Sequence, residues 1–400
     1  MNCREIRDDL FERMVKQNFS GMDWSSVIFS EKVICINNKF NLVKPKFLRK
    51  VVISVFYRLL NYGGYQSVKI IKPKELIFSK GLALILSGLS VQNDKGTEKY
   101  IEQITELLLE KKLSNRYLWA HDIDYAFPDG TIVTTSTPNL VTTAFIANAF
   151  WDLFQSTKNE RWKDMFIRIT SDVLKFIPYK EIDSSKICFM YTPVTNFYVH
   201  NANLLYAEIV SKYLYLMPDK NNTLMVLLSK SINYSLNDFN STGSFPYAGP
   251  PTKNLTVDNY HTGYVLRSIL EISRYSPEIS EHYQLDSMIS RLFEFYKMNF
   301  IKKYVVHSKS KMIESHSLAE SLLVYCFLSA RMAPNERERY LNVVKKTLWL
   351  LWDQENKYFF NNIKQLLILK VYDKTEMIRW SNAWMFFALS VFIAKSGDEL

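Results

Sequence analysis

Three histidines open three successive apolar stretches of this 400-residue chain. They stand in Val199-His-Asn-Ala-Asn-Leu-Leu, Val257-Asp-Asn-Tyr-His-Thr-Gly-Tyr-Val and Glu314-Ser-His-Ser-Leu-Ala-Glu, as His200, His261 and His316. Imidazole titrates nearest neutrality, so a set of such rings suits proton transfer. Tyr191, Tyr247, Tyr260 and Tyr264 lie in the same or adjoining stretches and supply further acids or bases, while Arg379 and Lys253 supply cations. Removing a proton alpha to a carboxylate, as a uronic acid would require, needs a base on one face of the sugar. Epimerisation needs an acid on the other face, and cations or N–H groups must hold the carboxylate. This reading assigns catalysis to His261, Tyr260, Tyr247, His200 and His316.

Two other chemistries draw on the same stretches. Three histidines can hold zinc in an open site, but no HExxH or comparable local pair occurs, and no metal or cofactor is expected. Glycoside hydrolysis uses two carboxylates, for which Asp122, Asp124, Asp258, Glu314 and Glu320 are available. Asp258 and Glu314 open helical runs, where a carboxylate is also an ordinary N-cap. Asn139, Asn201, Asn203, Asn259 and Asn382 recur at such openings and can cap a helix or bind sugar hydroxyls. The expected substrate-holding set is those five with Tyr191, Asp258, Tyr264, Glu320, Arg379 and Trp380. Trp119 and Trp384 could also stack on sugar, or pack in the core. No phosphate-binding glycine loop and no GxSxG elbow is present.

The elements that must position these residues repeat. Polar openings of helical apolar runs begin at residues 80, 137, 199, 257, 314 and 379, spaced 57 to 65 residues apart. After each opening comes a helix rich in small and apolar residues, then a more amphipathic one, as over 160–177, 221–239, 278–300 and 335–353. Aromatic stretches at 120–130, 188–192, 244–247, 303–307 and 357–361 lead into the next opening and read as short strands or turns. An all-apolar helix is buried and a striped one lies outside. Six such pairs predict an (α/α)6 toroid over residues 80–400, with an open solenoid as the alternative. The openings then share one rim, a bowl of aromatic and polar groups facing helix N-termini, which favour an anion.

Composition agrees. Apolar residues are 48% and aromatics 14%, with 11 Gly and 12 Pro, which excludes disorder and collagen-like or turn-dense chains. Cys3, Cys35, Cys188 and Cys326 are scattered, which suits free thiols. No secretory leader is read at the charged start, so the expected location is cytoplasmic. The net charge of +10 carries no nucleic-acid motif, so no nucleic-acid partner is expected. Residues 1–79 fall outside the repeat and read as a basic arm packed on the ring. From Lys44 to Lys74 there are eight basic residues and no acidic one. An amphipathic helix with Phe47, Val51, Val52, Val55 and Phe56 inward is expected there, and peripheral contact with an anionic inner membrane through 44–74 is a further expectation.

Several segments, in order, resemble a bacterial family of six-hairpin toroids encoded with capsule, exopolysaccharide or lipopolysaccharide biosynthesis genes. They are Phe78-Ser-Lys-Gly-Leu-Ala-Leu, Thr137-Pro-Asn-Leu-Val-Thr-Thr-Ala-Phe, Phe189-Met-Tyr-Thr-Pro, Val199-His-Asn-Ala-Asn-Leu, Asp258-Asn-Tyr-His-Thr-Gly-Tyr-Val-Leu and Arg379-Trp-Ser-Asn-Ala-Trp-Met. Asn259-Tyr-His-Thr-Gly-Tyr is also similar to the Tyr-His-Thr helix of heparan-type glucuronyl C5-epimerases. The sequence departs from the first family at Trp119-Ala-His-Asp-Ile-Asp-Tyr-Ala-Phe, where members tend to be Trp-rich. The resemblance implies action on an anionic bacterial surface polysaccharide or its precursor, in its most specific form uronate C5-epimerisation by His261 with Tyr260 or Tyr247. A non-catalytic glycan-binding or assembly factor is the alternative, and a hydrolase or lyase the third.

Overall fold

The computed structural model describes residues 2–42, 44–92, 96–126, 131–218, 222–252, 254–309, 312–366 and 369–398. Lys253, expected to supply a cation, lies outside them. The chain opens with α1 (Cys3–Lys16), followed by a group of three, α2 (Trp24–Ile28), α3 (Glu31–Asn41) and α4 (Lys46–Ile71). Alternating helices follow: α5 (Ser79–Ser90), α6 (Glu98–Glu110), α7 (Leu140–Thr157), α8 (Glu160–Phe176), α9 (His200–Leu216) and α10 (Asn222–Leu236). The last are α11 (Asn259–Tyr275), α12 (Pro277–His282), α13 (Leu285–Phe300), α14 (Ser315–Leu328), α15 (Pro334–Leu351) and α16 (Trp384–Ser396). A π-helical turn, Ile378–Ala383, leads into α16.

Burial sorts these helices into two layers. Every residue of α5 is buried, as are His200–Leu214 of α9 and Trp384–Ile393 of α16. On α8 only Trp162, Phe166, Ile169, Thr170 and Val173 are buried, a stripe recurring every three or four residues. The first pattern forces a helix inside, and the second leaves it outside with one face inward. The inner helices α5, α7, α9, α11, α14 and α16 pack each on the next, and α16 returns to α5. At that seam a Cβ on Gly88 would lie 2.7 Å from the Phe386 ring, so the absent side chain is what lets the two helices meet. The ring is closed, which removes the open-solenoid alternative.

The outer places are taken by α6, α8, α10, α13 and α15, and the sixth by α1, which packs on α16. Cys3, Ile6, Leu10 and Met14 of α1 are buried in the shared core. The Cys3 N–H donates to the Asp398 carbonyl at 2.8 Å, and Arg4 pairs with Asp398 at 3.0 Å. The fold is thus an (α/α)6 toroid whose first helix completes its last hairpin. The segment read as an arm divides, α1 joining the ring while α2–α4 build a small core of their own from Val27, Val33, Leu60, Val68 and Ile71, with Met377.

Two local expectations change. On α4, Phe47, Val51 and Val55 face out, 75%, 42% and 47% exposed, while Leu60 is buried and Val52 and Phe56 are half-buried. The helix carries two apolar stripes at four-residue spacing, and only packing decides which turns inward. The outer segment 278–300 is two helices, because Gln284 between them is left-handed at φ 52°.

Three antiparallel hairpins precede inner helices: Tyr125–Ala126 with Ile132–Val133, Tyr179–Asp183 with Lys186–Phe189, and Tyr358–Leu366 with Leu369–Glu376. Met312–Glu314 joins the third, with Ile313 opposite Ile363. The stretches 244–247 and 303–307 form no strand; isolated bridges involve Ala248 and Val306.

Candidate active site

Five inner helices contribute a residue near their start to one cavity of about 250 Å³, and the π-turn that leads into the sixth contributes two. Lys80 comes from α5, Thr142 from α7, Asn201 from α9, Tyr260, His261 and Tyr264 from α11, His316 from α14, and Arg379 and Trp380 from the π-turn. The connecting segments add Phe78, His121, Asp122, Tyr191 and Tyr247. The geometry that makes this possible is the shared direction of the inner helices, which brings their N-terminal turns to one rim.

His261 stands in the first turn of α11, whose N-cap is Asp258. The His261 backbone N–H donates to Asp258 Oδ1 at 3.0 Å, and its Nδ1 lies 2.8 Å from Asp258 Oδ2. A carboxylate can only accept, so Nδ1 is the nitrogen that donates, and Asp258 fixes the tautomer in which the lone pair lies on Nε2. The ring is packed between Tyr247 (4.5 Å) and Tyr260 (4.3 Å). Burial holds the hydroxyls of Tyr247, Tyr260 and Tyr264 above the ordinary tyrosine range, so they act as hydrogen-bond donors and not as bases near neutrality.

His316 is buried between Tyr260 and Trp384, stacked on both at 4.5 and 4.6 Å. Burial, then Lys80 and Arg379, push its pKa well below the usual histidine value, so it is a neutral imidazole. Its Nε2 meets the Tyr264 hydroxyl and its Nδ1 has no partner among the described residues. Arg379 donates from Nη2 to the buried Asp23 Oδ1 at 2.6 Å, and its Nε is likewise unpartnered. Asn201 Oδ1 is a third such atom. Buried polar atoms without partners are uncommon, and three of those among the described residues belong to side chains that line this cavity.

Lys80 lies under this wall. Its ammonium sits 4.1 Å from the Phe145 ring centroid, and 5.1 and 5.3 Å from those of Tyr264 and Trp384. Burial, with Arg379 adding, holds it well below an ordinary lysine. The sequence reading missed it, because Lys80 opens the plainest of the six stretches; the lone charge at the second position of α5 was the available signal. Asp122 is the lining carboxylate. It accepts from the Ser79 N–H and hydroxyl, each at 2.8 Å, and pairs with Lys111 at 3.0 Å.

Of the expected site residues, the cavity gathers His261, Tyr260, Tyr247, His316, Tyr191, Asn201, Tyr264, Arg379 and Trp380. The others stand behind it, each for a structural reason. His200 is fully buried, with Nε2 3.1 Å from Asp238 and Nδ1 3.2 Å from the Ser235 hydroxyl. Asn139 caps α7 by accepting from the Thr142 N–H. Asn203 accepts from the Phe189 N–H and donates to the Ser231 carbonyl, tying a hairpin to α9 and α10. Asn259 bridges Tyr296 and Ser321. Asn382 accepts from the Phe359 N–H and donates to Glu376. Glu320 is a two-bond partner of Arg267, at 2.6 and 3.1 Å. Asp258 acts through His261. No group of three or more His, Cys, Asp or Glu able to hold a metal occurs among the described residues.

With this geometry in hand, the fold can be compared. It is similar to a sugar epimerase from a ruminal bacterium, at TM-score 0.61 and 10% identity over 81% of this chain and 88% of that one. Cellobiose 2-epimerase from Bacillus thermoamylovorans aligns at TM-score 0.56 and 9% identity over 78% and 87%. A family 76 glycoside hydrolase, a mannosidase from Bacteroides thetaiotaomicron, aligns at 0.53 and 10% over 78% and 86%. Identity this low establishes the shared six-hairpin toroid and not the chemistry. No protein-family model and no curated protein matches the chain.

Proposed function

We propose that this chain is a saccharide epimerase or isomerase that moves a proton on the carbon next to a carbonyl or carboxylate. The observation that carries the reading is a dyad, Asp258–His261, whose imidazole lines the same cavity as His316 and Arg379. In this mechanism His261 Nε2 takes the proton and becomes an imidazolium held by Asp258. The electron pair moves onto the carbonyl oxygen, which meets N–H groups of Arg379 and His316. Proton delivery to the other face of the same carbon by a second acid gives the epimer; return of the proton by His261 to the neighbouring carbon, as that carbon's hydroxyl proton passes to the first oxygen, gives the isomer. Fold neighbours whose names describe a sugar epimerase, a cellobiose 2-epimerase and a D-mannose isomerase support the class.

Lys80 and Arg379 line the cavity and Arg379 keeps an unpartnered Nε beside its pair with Asp23, which supports an acidic sugar such as a uronate as the substrate class. The motif resemblance makes bacterial surface-polysaccharide synthesis our proposed setting. Hydrolysis is disfavoured by the wall itself, whose carboxylate, Asp122, is already held by Ser79 and Lys111, with no second carboxylate among the described lining residues. The test is deuterium uptake from heavy water into reducing sugars and uronates. Uptake that disappears in His261→Gln supports the reading. Tight saccharide binding with no uptake makes the protein a glycan-binding factor and overturns it.

A further inference from the structure

The outward stripe of α4 is an apolar feature the toroid does not use. Phe47, Val51, Val55 and Leu59 are 75%, 42%, 47% and 66% exposed, with Leu48 beside them at 49%. Four-residue steps keep such side chains on one slowly turning face, so the stripe runs roughly 18 Å along the helix. The inward face of α4 is already occupied by the small core of Leu60, Val68 and Ile71, and the stripe is left exposed among the described residues. Neighbouring α3 exposes Ile34, and Leu42 just beyond its end is exposed as well.

Charge indicates what would cover it. Between Lys44 and Lys74 eight side chains are basic and none is acidic, on a chain of net charge +10. Lys50 and Arg58 are exposed on α4 itself. A second copy of this chain would bring the same positive charge against itself. An anionic lipid surface offers both an apolar layer for the stripe and negative headgroups for the basic residues. No described helix is long and apolar enough to cross a membrane, so contact would be interfacial.

We infer that α4 docks this protein on anionic phospholipid, lying in the headgroup layer with Phe47, Val51, Val55 and Leu59 inserted. The α2–α4 group sits on the rim that carries the cavity: Met22 accepts from the Ile378 N–H, and Asp23 holds Arg379. Docking therefore places the cavity's rim near the lipid surface. The inference does not depend on the chemistry assigned to the cavity.

Flotation of the full chain with vesicles tests it. Phosphatidylglycerol–phosphatidylcholine vesicles are expected to carry the protein upward at low salt, pure phosphatidylcholine vesicles to carry at least ten-fold less, and half-molar salt to weaken the binding. Phe47→Ser with Leu59→Ser, and separately Lys50→Glu with Arg58→Glu, are each expected to cut binding at least ten-fold with unchanged melting, since all four side chains are exposed. Failure of the unaltered chain to float with anionic vesicles overturns the inference, as does equal binding by both variants. A dimer in solution that dissociates on Phe47→Ser with Leu59→Ser also overturns it, by showing that the stripe serves a second copy.

Discussion

One carboxylate fixes both the start of α11 and the ring that α11 presents: Asp258 Oδ1 accepts the His261 backbone N–H at 3.0 Å, and Oδ2 stands 2.8 Å from His261 Nδ1. The two roles separate by substitution. Asparagine caps a helix about as well as aspartate, but its amide can donate to Nδ1 and leave the proton on Nε2. Asp258→Asn is therefore expected to keep stability within about 1 kcal/mol and to slow solvent exchange by about 10²–10⁴-fold. Asp258→Ala should lose about 1 kcal/mol more in urea unfolding. Equal exchange rates in the unaltered protein and Asp258→Asn would remove His261 from the base role.

His316 predicts how the toroid responds to acid. Its folded pKa is held well below the unfolded value, about 6.5. In that window the unfolded chain binds the extra proton, so this contribution is complete above pH 6.5 and is lost as pH falls through the folded value. His121 and His307 are shifted the same way by burial and add to the slope. His316→Gln should make the melting temperature fall less steeply between pH 6.5 and 5, flattening the curve in part. An unchanged slope would mean that the ring is already solvated.

Lys80 is expected to trade stability against activity. Burial lowers its pKa, so an ammonium at this site costs folding energy that falls away as pH rises toward the ordinary lysine value, about 10.4. Lys80→Met keeps the packing against Phe145 and Trp384 and removes the charge. It should gain about 0.5–2 kcal/mol at pH 7, gain less at pH 9.5, and lose solvent exchange. A destabilised Lys80→Met would show that the rings around the ammonium hold it more strongly than burial penalises it.

The ring was legible because burial writes itself into periodicity. Runs such as Leu82–Leu86 and Trp384–Ile393 have no polar face and can only be interior, and their constant spacing counts the hairpins. The place of α1 was not legible, since its partner α16 lies at the far end of the chain and no local pattern reports such a contact. The site was half visible for the same reason. A polar residue at a helix start shows that it is near the rim, but not whether it turns to the cavity, as Asn201 does, or back to the hairpins, as Asn203 and Asn382 do. Lys80 escaped notice because its surroundings, Arg379, Phe145 and Tyr264, are brought together only by closure.

His200 offers a contrast with His261, since both open inner helices and only one lines the cavity. With no exposed surface and with partners at Asp238 and Ser235, His200 holds α9 to α10. His200→Ala leaves a void and an unpaired carboxylate, which together should cost about 2–4 kcal/mol in chemical denaturation. Below the lowered melting point, exchange should stay within about three-fold of the unaltered rate, a margin under 1 kcal/mol. A large loss of exchange in fully folded His200→Ala would bring this ring back into the reaction.

Gly263 lets α14 approach α11 closely enough for an ion pair. A Cβ there would lie 2.2 Å from Glu320 Cγ, and Glu320 reaches past it to Arg267 at 2.6 and 3.1 Å. Alanine normally favours a helix over glycine by about 1 kcal/mol, so Gly263→Ala would stabilise an unconstrained α11. Here the methyl must push Glu320 aside and leave a buried guanidinium poorly paired, so a net loss of about 1–3 kcal/mol is expected instead. Glu320→Ala removes the Cγ that clashes, and with it the pair with Arg267. In a double-mutant cycle read by urea unfolding, Gly263→Ala should therefore cost at least about 1 kcal/mol less in the Glu320→Ala background than alone. Additive losses would mean that the helices move apart as rigid bodies and that contact with Glu320 is not what requires a glycine at 263.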